Sequence, residues 1–205
     1  LPQRGLIVDL CAGNGAVGLF ASTRTKAKIL AVEIQERLAD MAERSIELND
    51  LTQQMQVIQD DLKNLGQYIT GSKVDMILCN PPYFKVDKQS NLNESQHYLL
   101  ARHEISTNLE EICKIAQRVL KSNGRLAMVH RPERFLDILD TMQTHNLAPK
   151  RIQFVYPKLG KDANMLLIEA IKDGSRDGLK ILPPLFIHNQ DGSYTPEIHE
   201  IYYGK

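Results

Sequence analysis

Charge of one sign is missing from this sequence: 25 lysines and arginines stand against 25 aspartates and glutamates. A surface that is basic throughout is therefore excluded, and any contact with a nucleic acid has to be made by a local patch. Cysteine is scarce. Cys11, Cys79 and Cys113 lie far apart, and none belongs to a C-x-x-C pair or sits near a histidine at metal-ligand spacing. That pattern offers no disulfide framework and no metal site, and it fits a reduced, cytoplasmic protein. No apolar run approaches the roughly 20 residues that cross a bilayer, and no basic-then-apolar leader opens the chain, so no membrane contact is expected. Internal repeats and low-complexity segments are also lacking. With 205 residues the chain suits one domain with a core covered on both faces, a monomer or weak homodimer. It starts on Leu1 and enters its first strand almost at once, so a natural N-terminal segment is expected ahead of it.

What is present is an alternation. Gly5 to Leu10, Lys28 to Glu33, Met55 to Gln59, Val74 to Cys79 and Arg125 to His130 are short runs rich in Val, Ile and Leu, the pattern of strands buried on both faces. Between them come stretches of helical spacing. In Gln35 to Leu48, the residues Leu38, Met41, Ala42, Ser45 and Leu48 share a face; in Asn108 to Leu120, Leu109, Ile112, Ile115, Ala116 and Val119 do. Glu133 to His145 makes a further helix, with Asn146 as its stop. Strand and helix in strict succession imply an α/β fold with a parallel sheet and right-handed crossovers. After Pro149 no long helix separates Arg151 to Tyr156 from Asn164 to Ile171, which predicts an antiparallel pair closing the sheet. The remainder, with Pro183, Pro184, Gly192 and Pro196, predicts a short extension with turns.

Three features gather at the carboxyl ends of the first three strands, where open α/β sheets bind ligands. D-L-C-A-G-N-G, Asp9 to Gly15, follows the first strand; Gly13 and Gly15 let the backbone turn tightly and approach a ligand. Glu33 ends the second strand about twenty residues on, where a carboxylate accepts hydrogen bonds from both ribose hydroxyls of a dinucleotide or of S-adenosylmethionine alike. Asp60-Asp61-Leu62 ends the third. Asp61 is the better acceptor for an adenine amino group, because Leu62 directly after it can pack on the purine; a helix N-cap is its other reading.

The fourth strand ends in Asn80-Pro81-Pro82-Tyr83-Phe84. Two prolines remove two backbone donors and fix φ, so the strand stops with its carbonyls held outward. An exocyclic amine is a poor nucleophile because its lone pair is delocalised into the ring. The Asn80 amide oxygen and the Pro81 carbonyl can each accept one of its N–H groups and aim the lone pair at an electrophile, with no strong base required. Tyr83 can stack on the base and Phe84 close the pocket.

These motifs, in this order and spacing, resemble the class I S-adenosylmethionine methyltransferases that modify planar amino groups. N-P-P-Y-F with the later Ala101-Arg102-His103-Glu104 is most similar to the bacterial tRNA(Val) adenine-N6 methyltransferases. The resemblance spans roughly residues 5 to 172. It implies a Rossmann-like, seven-stranded, mostly parallel sheet with an antiparallel last strand and helices on both faces. Residues 1–172 would then form the methyltransferase domain and 173–205 a C-terminal extension. It further implies S-adenosylmethionine as cofactor, held by Asp9, Gly13, Gly15, Glu33, Asp61, Leu62 and Asn80. Catalysis would fall to Asn80, Pro81 and Tyr83, and contact with tRNA and its flipped-out adenosine to Tyr83, Phe84 and Arg102. Cys11 and Ala12 depart from the loop usual in that family, D-L-G-T-G-S-G.

Weaker signals surround this core. The polar loop from Lys85 to Arg102 can fold over bound RNA, and Arg131, Arg134, Lys150, Arg151, Lys158 and Lys161 form a basic series expected near the carboxyl edge. His130 reads as a strand-end residue, and Cys11 and Cys79 as small core residues without chemistry. Two other functions compete. Release-factor methyltransferases, which act on a protein glutamine, also carry N-P-P-Y but usually have an aliphatic residue after it. A cofactor-binding partner subunit without catalysis would be expected to have lost Glu33 or part of N-P-P-Y.

Overall fold

The computed structural model describes residues 1–82 and 109–204. Strands β1 (Leu6–Leu10), β2 (Lys28–Glu33), β3 (Met55–Gln59) and β4 (Val74–Cys79) form where the apolar runs predict them. In β1 the residues Ile7, Val8 and Leu10 are all without solvent exposure. Both faces of a central strand are thus buried, each such side chain contributing roughly 1.5–3 kcal/mol by leaving water. β5 (Leu120–His130) begins earlier than its apolar run: Leu120 pairs with Val74, then the register shifts so that Arg125 pairs with Met76. Asn123, at φ 64, takes up the extra residues in the left-handed region.

β6 (Leu147–Lys158) and β7 (Met165–Lys172) follow. Strands β1 to β5 run parallel, and β7 lies antiparallel between β5 and β6, as expected. Two short strands, β8 (Lys180–Ile181) and β9 (Leu185–His188), add themselves in parallel to β6. The order is β3-β2-β1-β4-β5-β7-β6-β8, nine strands among the described residues with β9 included, where the family resemblance implied seven. The direction of succession reverses between β1 and β4, the switch point at which open sheets bind ligands.

Helices α1 (Ala16–Ser22) and α2 (Glu36–Leu48) pack on one face with Ile7, Ile29, Met55 and Met76. On the other lie α3 (Leu65–Tyr68), α4 (Leu109–Val119) and α5 (Phe135–Thr144), whose Ile112, Ala116, Ile138 and Met142 cover Val8, Ile77, Leu126 and Ile168. Helix α6 (Pro196–Tyr203), capped by the Thr195 side chain, sets Ile198 against Val155 and Leu185. α4 buries the face its spacing predicts. In α2 the buried residues are Ala39, Ala42 and Ile46, while Leu48 is 85% exposed. That corrects the predicted stripe: the sheet meets the helix one position further round, and Leu48 points outward from the last turn. Asn146 stops α5 as expected, in the left-handed conformation at φ 55.

Among the described residues no helix is long and apolar enough to cross a membrane, and no group of three or more His, Cys, Asp or Glu side chains is placed to hold a metal ion.

Candidate functional site

The loops leaving β1, β2, β3 and β4 enclose a cavity of about 300 Å³. Its wall runs from Cys11 through Asn14, then Glu33 and Gln35, then Asp60 to Leu62, and closes with Asn80 and Pro82. The expected Gly13, Glu33, Asp61, Leu62 and Asn80 therefore share one space.

The glycine turn is built for a close approach. Gly13 has φ 56, and a Cβ there would meet nothing within 4 Å, so this backbone faces open space. Gly15, at φ 81, caps the start of α1, and a Cβ on it would come within 3.0 Å of the Ala42 methyl. Gly15 thus serves packing between the turn and α2.

Glu33 is 6% exposed and holds the turn from the opposite side. Its Oε2 accepts the Gly13 N–H at 2.6 Å and its Oε1 the Gln35 N–H at 3.0 Å. A carboxylate has about four lone-pair positions, so two backbone donors fix its orientation and leave acceptor capacity toward the cavity.

Asp9 occupies a different place from the one its motif suggests. It has no solvent exposure, it is absent from the cavity wall, and its Oδ2 accepts the Gly18 N–H at 2.9 Å. Its Oδ1 has no hydrogen-bond partner among the described residues. Burial first, with Glu33 nearby adding to it, pushes this carboxyl up to about 7, although the Gly18 bond works the other way. Asp9 therefore ties β1 to the first turns of α1, beneath the loop.

The two aspartates after β3 divide their work. Asp60 Oδ1 accepts from the Asp61 N–H at 2.7 Å and from Asn64 at 2.8 Å, and its Oδ2 from the Tyr68 hydroxyl at 2.8 Å. Those side-chain bonds hold its carboxyl below the ordinary value. Asp61 caps the short 3₁₀ turn Leu62–Asn64, its Oδ1 accepting the Lys63 N–H at 3.0 Å, so the N-cap reading describes one of its oxygens. The other makes no hydrogen bond among the described residues. Leu62 is buried between the cavity and the main core.

Beyond β4, Asn80 is exposed, Pro81 buried and Pro82 exposed. Asn80 also borders a second concavity of about 290 Å³ on the α1 side of the sheet. Its floor is Leu78, Ala127, Val129 and Leu167, and Arg151, Gln153 and Glu169 stand on it, with Glu169 accepting from Arg125 at 3.0 Å. Tyr83, Phe84 and Arg102, together with the loop from Lys85 to Arg102 and the A-R-H-E segment, lie outside the described residues.

His130 is buried, its Nδ1 accepting the Arg131 N–H at 2.8 Å, and burial lowers its pKa. The expected basic series divides. Arg131 reaches the Asn164 carbonyl at 3.1 Å, and Arg134 pairs with Asp137 at 2.5 Å. Lys150, fourth of the twelve residues of β6, instead binds the carbonyls of Ser175 and Asp177. It belongs to the amino edge of the sheet, because β6 is longer than its apolar run suggests. Ile34, Gln35 and Leu38 line the cavity without having been singled out in the sequence; their signal was adjacency to Glu33 and the first turn of a helix.

A doubly wound sheet with these loops converging at its switch point is the architecture of a Rossmann-like, S-adenosylmethionine-dependent methyltransferase, and comparison with known proteins returns that class. The chain belongs to the family described as Conserved hypothetical protein 95, whose model matches residues 3–133. A protein of Porphyromonas gingivalis named tRNA1(Val) (adenine(37)-N6)-methyltransferase is 27% identical over 201 residues, covering 96% of this chain and 77% of its own length. One of the same name from Bacteroides fragilis is 27% identical, with 96% and 82% covered. Among solved structures, a predicted O-methyltransferase from Agrobacterium tumefaciens superposes with a TM-score of 0.77 at 25% identity, covering 98% of this chain and 89% of that one. A geranyl diphosphate C-methyltransferase from Streptomyces coelicolor, solved with S-adenosyl-L-homocysteine, shares the fold at TM-score 0.63 and 14% identity, over 83% and 70% of the two chains.

The residues of the first cavity fit S-adenosylmethionine: the volume is that of a small-molecule site, Gly13 leaves room for close approach, and Glu33 offers an oriented, ionisable acceptor pair.

Proposed function

We propose that this methyltransferase modifies the exocyclic N6 amine of an adenosine in the anticodon loop of tRNA(Val), acting on tRNA in the cytoplasm. The observation that carries this reading is the position of Asn80. It follows β4 directly, on the rim of the cavity whose walls include the glycine turn, Glu33 and Asp61. The names of the relatives from P. gingivalis and B. fragilis, similar over 96% of the chain, support the choice of acceptor.

The cofactor supplies a sulfonium-bound methyl, an electrophile that asks only for a correctly aimed nitrogen lone pair. In this reading Glu33 takes the ribose hydroxyls, Asp61 the adenine amino group, and Leu62 packs on that purine. Gly13 keeps the backbone clear, while Asp9 and Gly15 hold the turn in place. The Asn80 amide oxygen and the Pro81 carbonyl accept the two N–H groups of the acceptor amine, which points its lone pair into the cavity. Positioning of this kind supplies most of the acceleration without a strong base. Tyr83 stacks on the flipped base, Phe84 closes over it, and Arg102 meets a phosphate.

Incubation with labelled S-adenosylmethionine and bulk tRNA, followed by digestion to nucleosides, tests the acceptor. Label is expected in N6-methyladenosine, and Asn80→Ala should lower its rate at least about a hundredfold while S-adenosylhomocysteine affinity stays within about threefold. Label recovered on protein glutamine, with none in the nucleosides, would transfer the assignment to the release-factor type.

A further inference from the structure

The fold brings together two thiols to which the sequence gives no task. β1 and β4 are parallel neighbours with Leu10 opposite Cys79, so Cys11, the next residue, leaves β1 directly beside Cys79. Cys11 turns into the left-handed region at φ 58 and lines the first cavity, partly exposed. Cys79 is buried, and Cys11 packs against the apolar cluster that holds it. A third thiol, Cys113 on α4, is fully buried in the same apolar cluster. Burial pushes Cys113 up to about 12, and the contact with Cys11 together with burial raises Cys79, so the two interior cysteines rest as neutral thiols. Cys11 alone of the three opens onto the cavity.

We propose that Cys11 and Cys79 form an oxidation-sensitive pair through which a hydroperoxide reversibly closes the cofactor cavity. The Cys11 sulfur, as thiolate, attacks the terminal oxygen of ROOH; the O–O bond breaks, and the alkoxide leaves with the proton Cys11 gave up, as ROH. Cys11 is now a sulfenic acid. The Cys79 sulfur displaces its hydroxyl, forming the S–S bond and breaking the S–O bond, and the Cys79 proton departs with that hydroxide as water. In sum, two thiols and one hydroperoxide give one disulfide, one alcohol or water from ROH, and one water, with two electrons passing from sulfur to peroxide oxygen.

Joining the two sulfurs at about 2 Å draws the turn at Cys11 toward β4. Gly13, whose N–H Glu33 holds, lies two residues from one end of the bridge, and Asn80 directly follows the other. Both walls of the cavity shift together. Bound ligand covers Cys11 and so protects it, a consequence that rests on the first cavity being the cofactor site.

The test treats the 205-residue chain with hydrogen peroxide, with and without S-adenosylhomocysteine. Unreduced tryptic peptides are mapped by mass spectrometry, and S-adenosylhomocysteine affinity is measured by calorimetry before oxidation, after it, and after dithiothreitol. A Cys11–Cys79 cross-linked peptide is expected, with affinity at least about tenfold weaker, restored by dithiothreitol, and a cross-link formed several-fold more slowly in the presence of ligand. Cys79→Ser should give no cross-link and accumulate a dimedone-reactive Cys11, whereas Cys113→Ser should behave like the unaltered chain. A bridge to Cys113, bridges only between molecules, or a Cys11–Cys79 bridge with unchanged affinity would each overturn the proposal. Failure of the reduced protein to bind S-adenosylhomocysteine would instead overturn the cofactor reading of the cavity, and the closing step with it; the cross-link is read independently of binding.

Discussion

Two concavities meet at Asn80, and they are made differently. The first is walled by chain that has just left the sheet ladder, so backbone N–H groups and strand-end carboxylates are available to one another: Gly13 and Gln35 donate to Glu33, Lys63 to Asp61. The second is floored by the sheet itself. There the backbone is used in the ladder, and only side chains present themselves: Leu78, Ala127, Val129 and Leu167, with Arg151, Gln153 and Glu169 among them. Backbone donors are available for recognition where strands end, whereas a pleated face offers its side chains alone.

The largest effect expected from this contrast is at Glu33. Glu33→Ala removes the anchor of Gly13 and, on the proposed reading, the acceptor of the ribose hydroxyls. With charged hydrogen bonds worth roughly 1.5–3 kcal/mol each, S-adenosylhomocysteine should bind about a hundredfold more weakly or worse in calorimetry. An unchanged dissociation constant would remove Glu33 from the site.

Asp9 separates the cavity's wall from its foundation, and its effect appears in stability. Its carboxyl ionises near 3.8 in an unfolded chain and near 7 when folded, so between those values the folded state holds a proton that the unfolded state lacks. Stability from this group is present below the lower value and is lost as pH rises through the higher one, on the order of a few kcal/mol in all. Asp9→Asn cannot titrate. Its unfolding free energy, measured in urea, should gain on the parent by about 1–3 kcal/mol between pH 5 and pH 8. Parallel curves would mean that Asp9 does not titrate across that range.

The smallest effect is expected on the sheet face. Arg151→Ala alters the second concavity and none of the walls of the first, so S-adenosylhomocysteine affinity should change less than about threefold. A tenfold loss would join the two spaces into one site.

Much of this was legible in the sequence. Strands of continuous apolar residues announce themselves, and β2, β3 and β4 match their runs residue for residue. Gly13, Glu33, Asp61, Leu62 and Asn80 line one cavity because motifs at strand ends fall on one edge of a parallel sheet. β8 and β9 were not legible, being two and four residues long in a proline-rich stretch; they exist only because β6 offers an edge. The turn of the buried face of α2 that exposes Leu48 was likewise hidden, since spacing defines a stripe but its neighbour decides which side of it is buried.

By itself the sequence determined the central strands of the sheet, where its ligand edge lies, and which chemical groups stand there, because periodicity and strand-end position are local properties of the chain. Whether a carboxylate faces the cavity or the core was decided only by tertiary packing. Asp9 and Glu33 both belong to strands that stop at the same edge, yet α1 closes over the first and the open side of the glycine turn receives the second. So also with Cys11 and Cys79: 68 residues separate them in the chain, and only the pairing of β1 with β4 makes them neighbours.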